Sequence, residues 1–151
     1  MGMYTELVLG VELKKDTSSS VIDILKYMLA DIETEPSLPD HELFETNRWA
    51  FMLHCDSYYF DGITHSEMEF DDITETYYLT VRTNFKNYCE EVEKFMDFIQ
   101  PYLETIGFLG YTINEGECGP TIIYNTREGI KYERHHNRDC TYYWVRRKTN
   151  E

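Results

Sequence analysis

The chain reads as an α+β domain: a mainly antiparallel sheet with two helices packed on one side. Three observations predict this. Short runs of alternating apolar and polar residues recur along the chain. Apolar residues at helical spacing occur in two places, and clusters of Gly, Pro, Asn and Asp separate the runs. A length of 151 residues with 42% apolar content suits one domain spanning 1–151.

The elements follow in order. Over residues 4–13, Leu7, Leu9, Val11 and Leu13 face one way and Glu6, Val8, Gly10 and Glu12 the other, as in a half-buried strand. Residues 14–18 are polar and supply N-cap candidates. Val21, Ile24, Leu25, Met28 and Leu29 then recur at helical spacing and predict a helix over about 18–30. Residues 33–47 contain Pro36, Pro39 and many acids and read as a loop. Residues 48–55 read as a compact strand with Trp49, Phe51 and Leu53 on one face. Residues 58–61 and 63–71, parted by Asp61-Gly62, read as a hairpin.

Residues 76–85 predict another strand, with Tyr77, Leu79, Val81 and Phe85 on one face. A second helix starts near 87–90, with Val92, Phe95, Met96, Ile99 and Leu103 as its apolar stripe. Pro101 should break its last turn, because the proline ring clashes with the turn before it. Strands follow over 108–114, 121–125 and 130–134, and residues 141–147 are expected to pair back on 130–135 as a C-terminal hairpin over 130–147. Gly10 and Gly110 read as bulges or points of close packing. The element order suggests two repeated β-α-β-β(-β) halves, about 1–75 and 76–151.

Charge is the strongest signal. The net charge is −14, and residues 31–75 hold thirteen acids against one base, Arg48, so they carry about 12 of the 14 net charges. A folded face of this kind attracts cationic partners and repels nucleic acid, nucleotides and anionic membranes. Residues 131–151 are mildly basic, with six bases and three acids. No apolar run approaches the ~18 residues of a membrane span. The N-terminus has no basic stretch followed by an apolar one, so a cytoplasmic protein is expected. Cys55, Cys89, Cys118 and Cys140 are widely spaced with no Cys-x-x-Cys pair, and reduced thiols are expected.

Few constellations carry chemistry. His65, Glu67, Glu69 and Asp71 alternate along one segment, so a strand would place them on one surface with Met68 and Phe70 facing the core. His65, Glu67 and Glu69 are weak metal candidates, because this spacing alone does not make ligands converge. His135, His136 and Cys140 lack the further ligands that zinc requires. His54 and Cys55 are adjacent, and neighbours on a strand point to opposite faces, which argues against a thiol–imidazole pair. Tyr142, Tyr143, Trp144, Arg146, Arg147 and Lys148 mix aromatic and basic groups, but the acidic body opposes nucleic-acid binding. Dinucleotide, P-loop, nucleophile-elbow and zinc-protease signatures are absent. No cofactor and no catalytic residue is expected.

Two functions fit this reading. The first is a non-catalytic acidic interaction or inhibitor protein that occupies a basic surface, such as that of a nucleic-acid-binding protein. Carboxylates on a rigid scaffold imitate phosphates, and by analogy of composition the expectation extends to nucleic-acid mimics of the phage or mobile-element anti-defence type. Its partner-binding residues would be Glu67, Glu69, Asp71, Asp72 and Glu75, with Asp31, Glu33 and Glu35 in reserve. The second is a domain that binds a hydrophobic cation or a metal in an aromatic cleft between the halves, with Trp49, Tyr58, Tyr77, Tyr111 and Glu69 as walls. A homodimer through an exposed sheet edge or the C-terminal hairpin is a further expectation.

Overall fold

The computed structural model describes residues 3–135. Along these residues the order is β1 (Thr5–Glu12), α1 (Ser19–Met28), β2 (Glu67–Asp71), β3 (Thr76–Phe85), α2 (Glu91–Ile99), β4 (Gly107–Asn114), β5 (Thr121–Thr126) and β6 (Gly129–Arg134). The strands form one open sheet in the order β2-β3-β1-β4-β5-β6, and each neighbouring pair is antiparallel.

The alternation in β1 and β3 sets the two faces. Leu7, Leu9 and Val11 lie opposite Thr83, Val81 and Leu79. This side is buried in one core with Val21, Ile24, Leu25 and Met28 of α1 and Val92, Phe95, Met96 and Ile99 of α2. The other side carries Glu6, Val8, Gly10 and Glu12 opposite Asn84, Arg82, Thr80 and Tyr78. The domain is therefore α+β, with its helices on one side of the sheet.

Helix ends follow local chemistry. Asn87 Oδ1 accepts from the Val92 amide at 3.0 Å, and Glu91 Oε2 accepts from the Cys89 amide at 3.0 Å, at the start of α2. Pro101 sits in a 3₁₀ turn, Gln100–Tyr102, that closes the helix. Leu103 is buried but lies beyond the helix, where it bridges to Leu13. Gly110 falls at a shift of register between β4 and β5, and a Cβ there would lie 1.9 Å from the Val8 carbonyl oxygen. Gly10 has open space around its Cβ position and marks no bulge.

Several expectations need correction. Residues 48–55 are consecutive turns, not a strand. The Phe51 amide bonds the Arg48 carbonyl at 3.2 Å and the His54 amide the Phe51 carbonyl at 3.1 Å. The buried residues are Trp49, Met52 and Leu53, an i, i+3, i+4 pattern, while Phe51 is exposed. Asp61-Gly62 is not a hairpin turn. The hairpin joins β2 to β3 through residues 72–75, and Gly62 instead lets the chain pass close to the Arg82 guanidinium. The repeated halves are not confirmed: one strand, β2, follows α1 within 1–75, whereas three, β4, β5 and β6, follow α2 among the described residues. The strand 130–134 is present as β6, and its expected partner, 141–147, lies outside the described residues. Cys118 is disulfide-bonded, against the expectation of reduced thiols, while Cys55 and Cys89 are free. Spacing in sequence does not reveal which thiols a fold brings within bonding geometry. Among the described residues no helix is long and apolar enough to cross a membrane.

Candidate functional site

The acidic block is displayed at the surface. Of its thirteen carboxylates all but Asp71 are exposed, and Asp71 is half-buried. Asp31, Glu33 and Glu35 lie in the segment after α1. Glu67, Glu69 and Asp71 lie on β2, which among the described residues is an edge strand bonded only to β3.

The pairing of β2 with β3 sorts its side chains. Glu67, Glu69 and Asp71 lie opposite Thr80, Tyr78 and Thr76 on the helix-free side, while Met68 and Phe70 lie opposite Leu79 and Tyr77 on the helix side. Met68 packs on the core. Phe70 contacts the Tyr77 ring at 5.0 Å yet stays 47% exposed. The turn adds Ile73, 92% exposed, and Asp72. Together Glu69, Phe70, Asp71, Asp72, Ile73 and Tyr78 line a shallow depression of about 410 Å³. Exposed apolar side chains, Phe70 and Ile73, thus stand beside carboxylates at this end of the sheet.

Three of these carboxylates already have internal roles. Asp71 accepts from the Ile73 and Thr74 amides at 2.7 and 3.1 Å and so shapes the turn. Glu75 pairs with Lys15, whose hydrogen bond and charge hold the Glu75 carboxyl below its ordinary range. Glu67 Oε2 meets His65 Nε2 at 2.8 Å. Glu69 and Asp72 enter no side-chain hydrogen bond or ion pair among the described residues.

The aromatic candidates do not share a wall. Trp49 is buried between Tyr27 (5.8 Å, stacked) and Phe44 (4.9 Å, edge-on). Tyr58 is 94% exposed and meets Tyr4 edge-on at 6.4 Å. Tyr77 is on the helix side, with Lys26 Nζ 5.9 Å above its ring. Tyr111 is on the opposite face, across from Val8 and Ile122. A polar cleft of about 350 Å³ does lie beside α2, lined by Thr5, Glu93, Asn114, Glu117, Thr121 and Arg134 among others. Several of its polar groups bond one another: Asn114 Nδ2 donates to Thr5 Oγ1 at 3.0 Å, and Arg134 meets Glu117 at 3.7 Å.

Among the described residues no group of three or more His, Cys, Asp or Glu could hold a metal ion, although His65 and Glu67 touch. His54 Nδ1 donates to the Met28 carbonyl at 2.7 Å, and burial is the main cause that raises the Cys55 thiol above its ordinary range. Neither arrangement activates a nucleophile. His135 meets Glu133 at 3.3 Å, and His136 and Cys140 lie outside the described residues.

Two ion pairs that hold a buried carboxylate were not apparent in the sequence. Glu6 on β1 lies beneath Arg82 of β3, and Glu91 of α2 lies beside Arg48 at 3.5 Å. Glu91 has no exposed surface and its Oε1 has no hydrogen-bond donor. The one base of the acidic block therefore lies against a buried carboxylate and not against the surface acids of β2 and its turn. No protein-family model, curated protein or solved structure matches this chain.

Proposed function

We propose that this protein is a non-catalytic interaction domain that captures a basic protein surface through the acidic edge of its sheet. The observation that carries the reading is the composition of that edge: Glu67, Glu69 and Asp72 are exposed on a strand and its turn that also expose Phe70 and Ile73, beside Tyr78 of β3. Carboxylates speed encounter with a cationic partner, and apolar groups among them supply contact area. Carboxylates held in a row by a strand imitate phosphates, so a surface that ordinarily binds nucleic acid is the fitting partner. The aromatic cleft has no comparable support, because its candidate walls lie in the core and on opposite sheet faces.

The test is capture by the tagged protein from lysate, with the eluate identified by mass spectrometry. Wild type is compared with a Glu67→Lys, Glu69→Lys, Asp72→Lys variant. Asp71 is left intact because it shapes the turn. The reading expects a basic protein held by wild type, released by about 1 M salt, and not held by the variant. Equal capture by both would refute it.

A further inference from the structure

The edge strand also specifies the conformation its partner must adopt. His65 and Arg82 exchange both backbone hydrogen bonds, each 3.0 Å. Such pairs recur at every second residue of an antiparallel ladder. Glu67, Glu69 and Asp71 therefore turn their backbone groups to β3, opposite Thr80, Tyr78 and Thr76. The next strand confirms the phase, since the Tyr77 carbonyl is turned away from β2 and accepts from the Leu13 amide at 2.9 Å. Met68 and Phe70 thus direct their N–H and C=O groups outward, and nothing among the described residues pairs with that edge.

Building on the proposed acidic function, we infer that β2 receives an extended segment of the partner protein as an added antiparallel strand, and that this segment alternates basic and apolar residues. The backbone of the segment would bond Met68 and Phe70. Its side chains on the helix-free face would meet Glu67, Glu69 and Asp71, where Lys or Arg is complementary. Its side chains on the other face would meet Met68 and Phe70, where apolar groups fit. A second copy of β2 is a poor occupant, because antiparallel pairing would set carboxylates against carboxylates.

The test uses the whole protein and labelled synthetic hexapeptides of Arg, Lys and Val, read by fluorescence anisotropy at low salt. One probe alternates basic residues with valine. A second has the same composition with the basic residues together. Two more carry N-methyl groups on the alternating sequence, either on the valine amides, which would face β2, or on the basic-residue amides, which would face away. The inference expects the alternating probe to bind, N-methylated valines to weaken it by at least ~10-fold, and N-methylated basic residues to leave it within about threefold. Phe70→Pro removes an outward N–H without touching the β2–β3 ladder and should weaken the same probe. If that variant loses its native circular dichroism, the N-methyl pair decides alone.

Equal binding of the alternating and clustered probes, with no effect of N-methylation, overturns strand addition and leaves capture by charge standing. Failure of every basic probe to bind overturns both.

Discussion

Arg82 places Nε 3.5 Å from the Glu6 carboxylate and, with Nη2, donates to the Asp61 carbonyl at 2.8 Å. One side chain thus neutralises a carboxylate on the helix-free face and ties the 57–62 segment over it. The Asn84 amide, in the orientation that satisfies both groups, also donates to Glu6 Oε2 at 2.9 Å. Glu6 is left only 7% exposed at its side chain. Arg82→Met should destabilise the fold by about 2 kcal/mol, less than for a fully buried pair because Arg82 itself is partly solvated. Glu6→Gln in that background should recover part of the loss. Urea midpoints of the single and double variants check both statements.

Arg48 and Glu91 form a more enclosed pair, with Arg48 also 5.2 Å above the Tyr88 ring. Arg48→Met should cost about 3 kcal/mol, since it strands a buried carboxylate. Adding Glu91→Gln should reduce that cost. Additive losses in chemical denaturation would show that the two residues are not coupled.

Close packing at Gly110 makes a sharp contrast with Gly10. Gly110→Ala drives a methyl group into the Val8 carbonyl and should cost about 3 kcal/mol, whereas Gly10→Ala meets open space. The second change should stay within about 0.5 kcal/mol. Thermal melting of the two variants side by side tests the close approach of β4 to β1 at Val8.

The Lys15–Glu75 pair gives a pH dependence with a definite sign. Lys15 holds the Glu75 carboxyl below its ordinary value of 4.5, so its contribution is present above that value and is lost as pH falls through the lowered one. Wild type and Lys15→Ala should therefore differ near neutral pH and converge in acid. Both groups are well exposed, so salt should shrink the difference. A difference that persists at low pH in denaturation curves would contradict the assignment.

Much of the fold was legible because strong local patterns and long-range pairing agree. Leu7, Leu9 and Val11 alternate because one face of β1 meets the helices and the other does not. The stripe from Val92 to Ile99 fits one face of α2, and Pro101 ends it. Residues 48–55 misled because Trp49, Phe51 and Leu53 look like one strand face, while Met52 with Trp49 and Leu53 marks a turn period. The turn at 72–75 was hidden inside the acidic run, although Asp71, able to accept two amides, was its signal.

The candidate site divides in the same way. The alternation of Glu67, Glu69 and Asp71 against Met68 and Phe70 was readable, because side-chain direction on a strand is local. That β2 stands at the sheet edge was not, since strand order depends on pairings distant in sequence. Nor could the sequence show that Asp71 and Glu75 are occupied by the turn and by Lys15, or that the aromatic residues separate onto opposite faces.

The central claim is that the β2 edge, and not overall acidity, recognises the partner. Two triple reversals change the net charge by the same amount: Glu67→Lys, Glu69→Lys, Asp72→Lys on the β2 hairpin, and Asp31→Lys, Glu33→Lys, Glu35→Lys in the segment after α1. Their affinities for the captured basic protein, measured by titration calorimetry at one salt concentration, separate the two ideas. The account predicts at least ~10-fold weakening for the hairpin reversal and no more than about threefold for the other. Equal weakening by both, or greater weakening by the second, would contradict it.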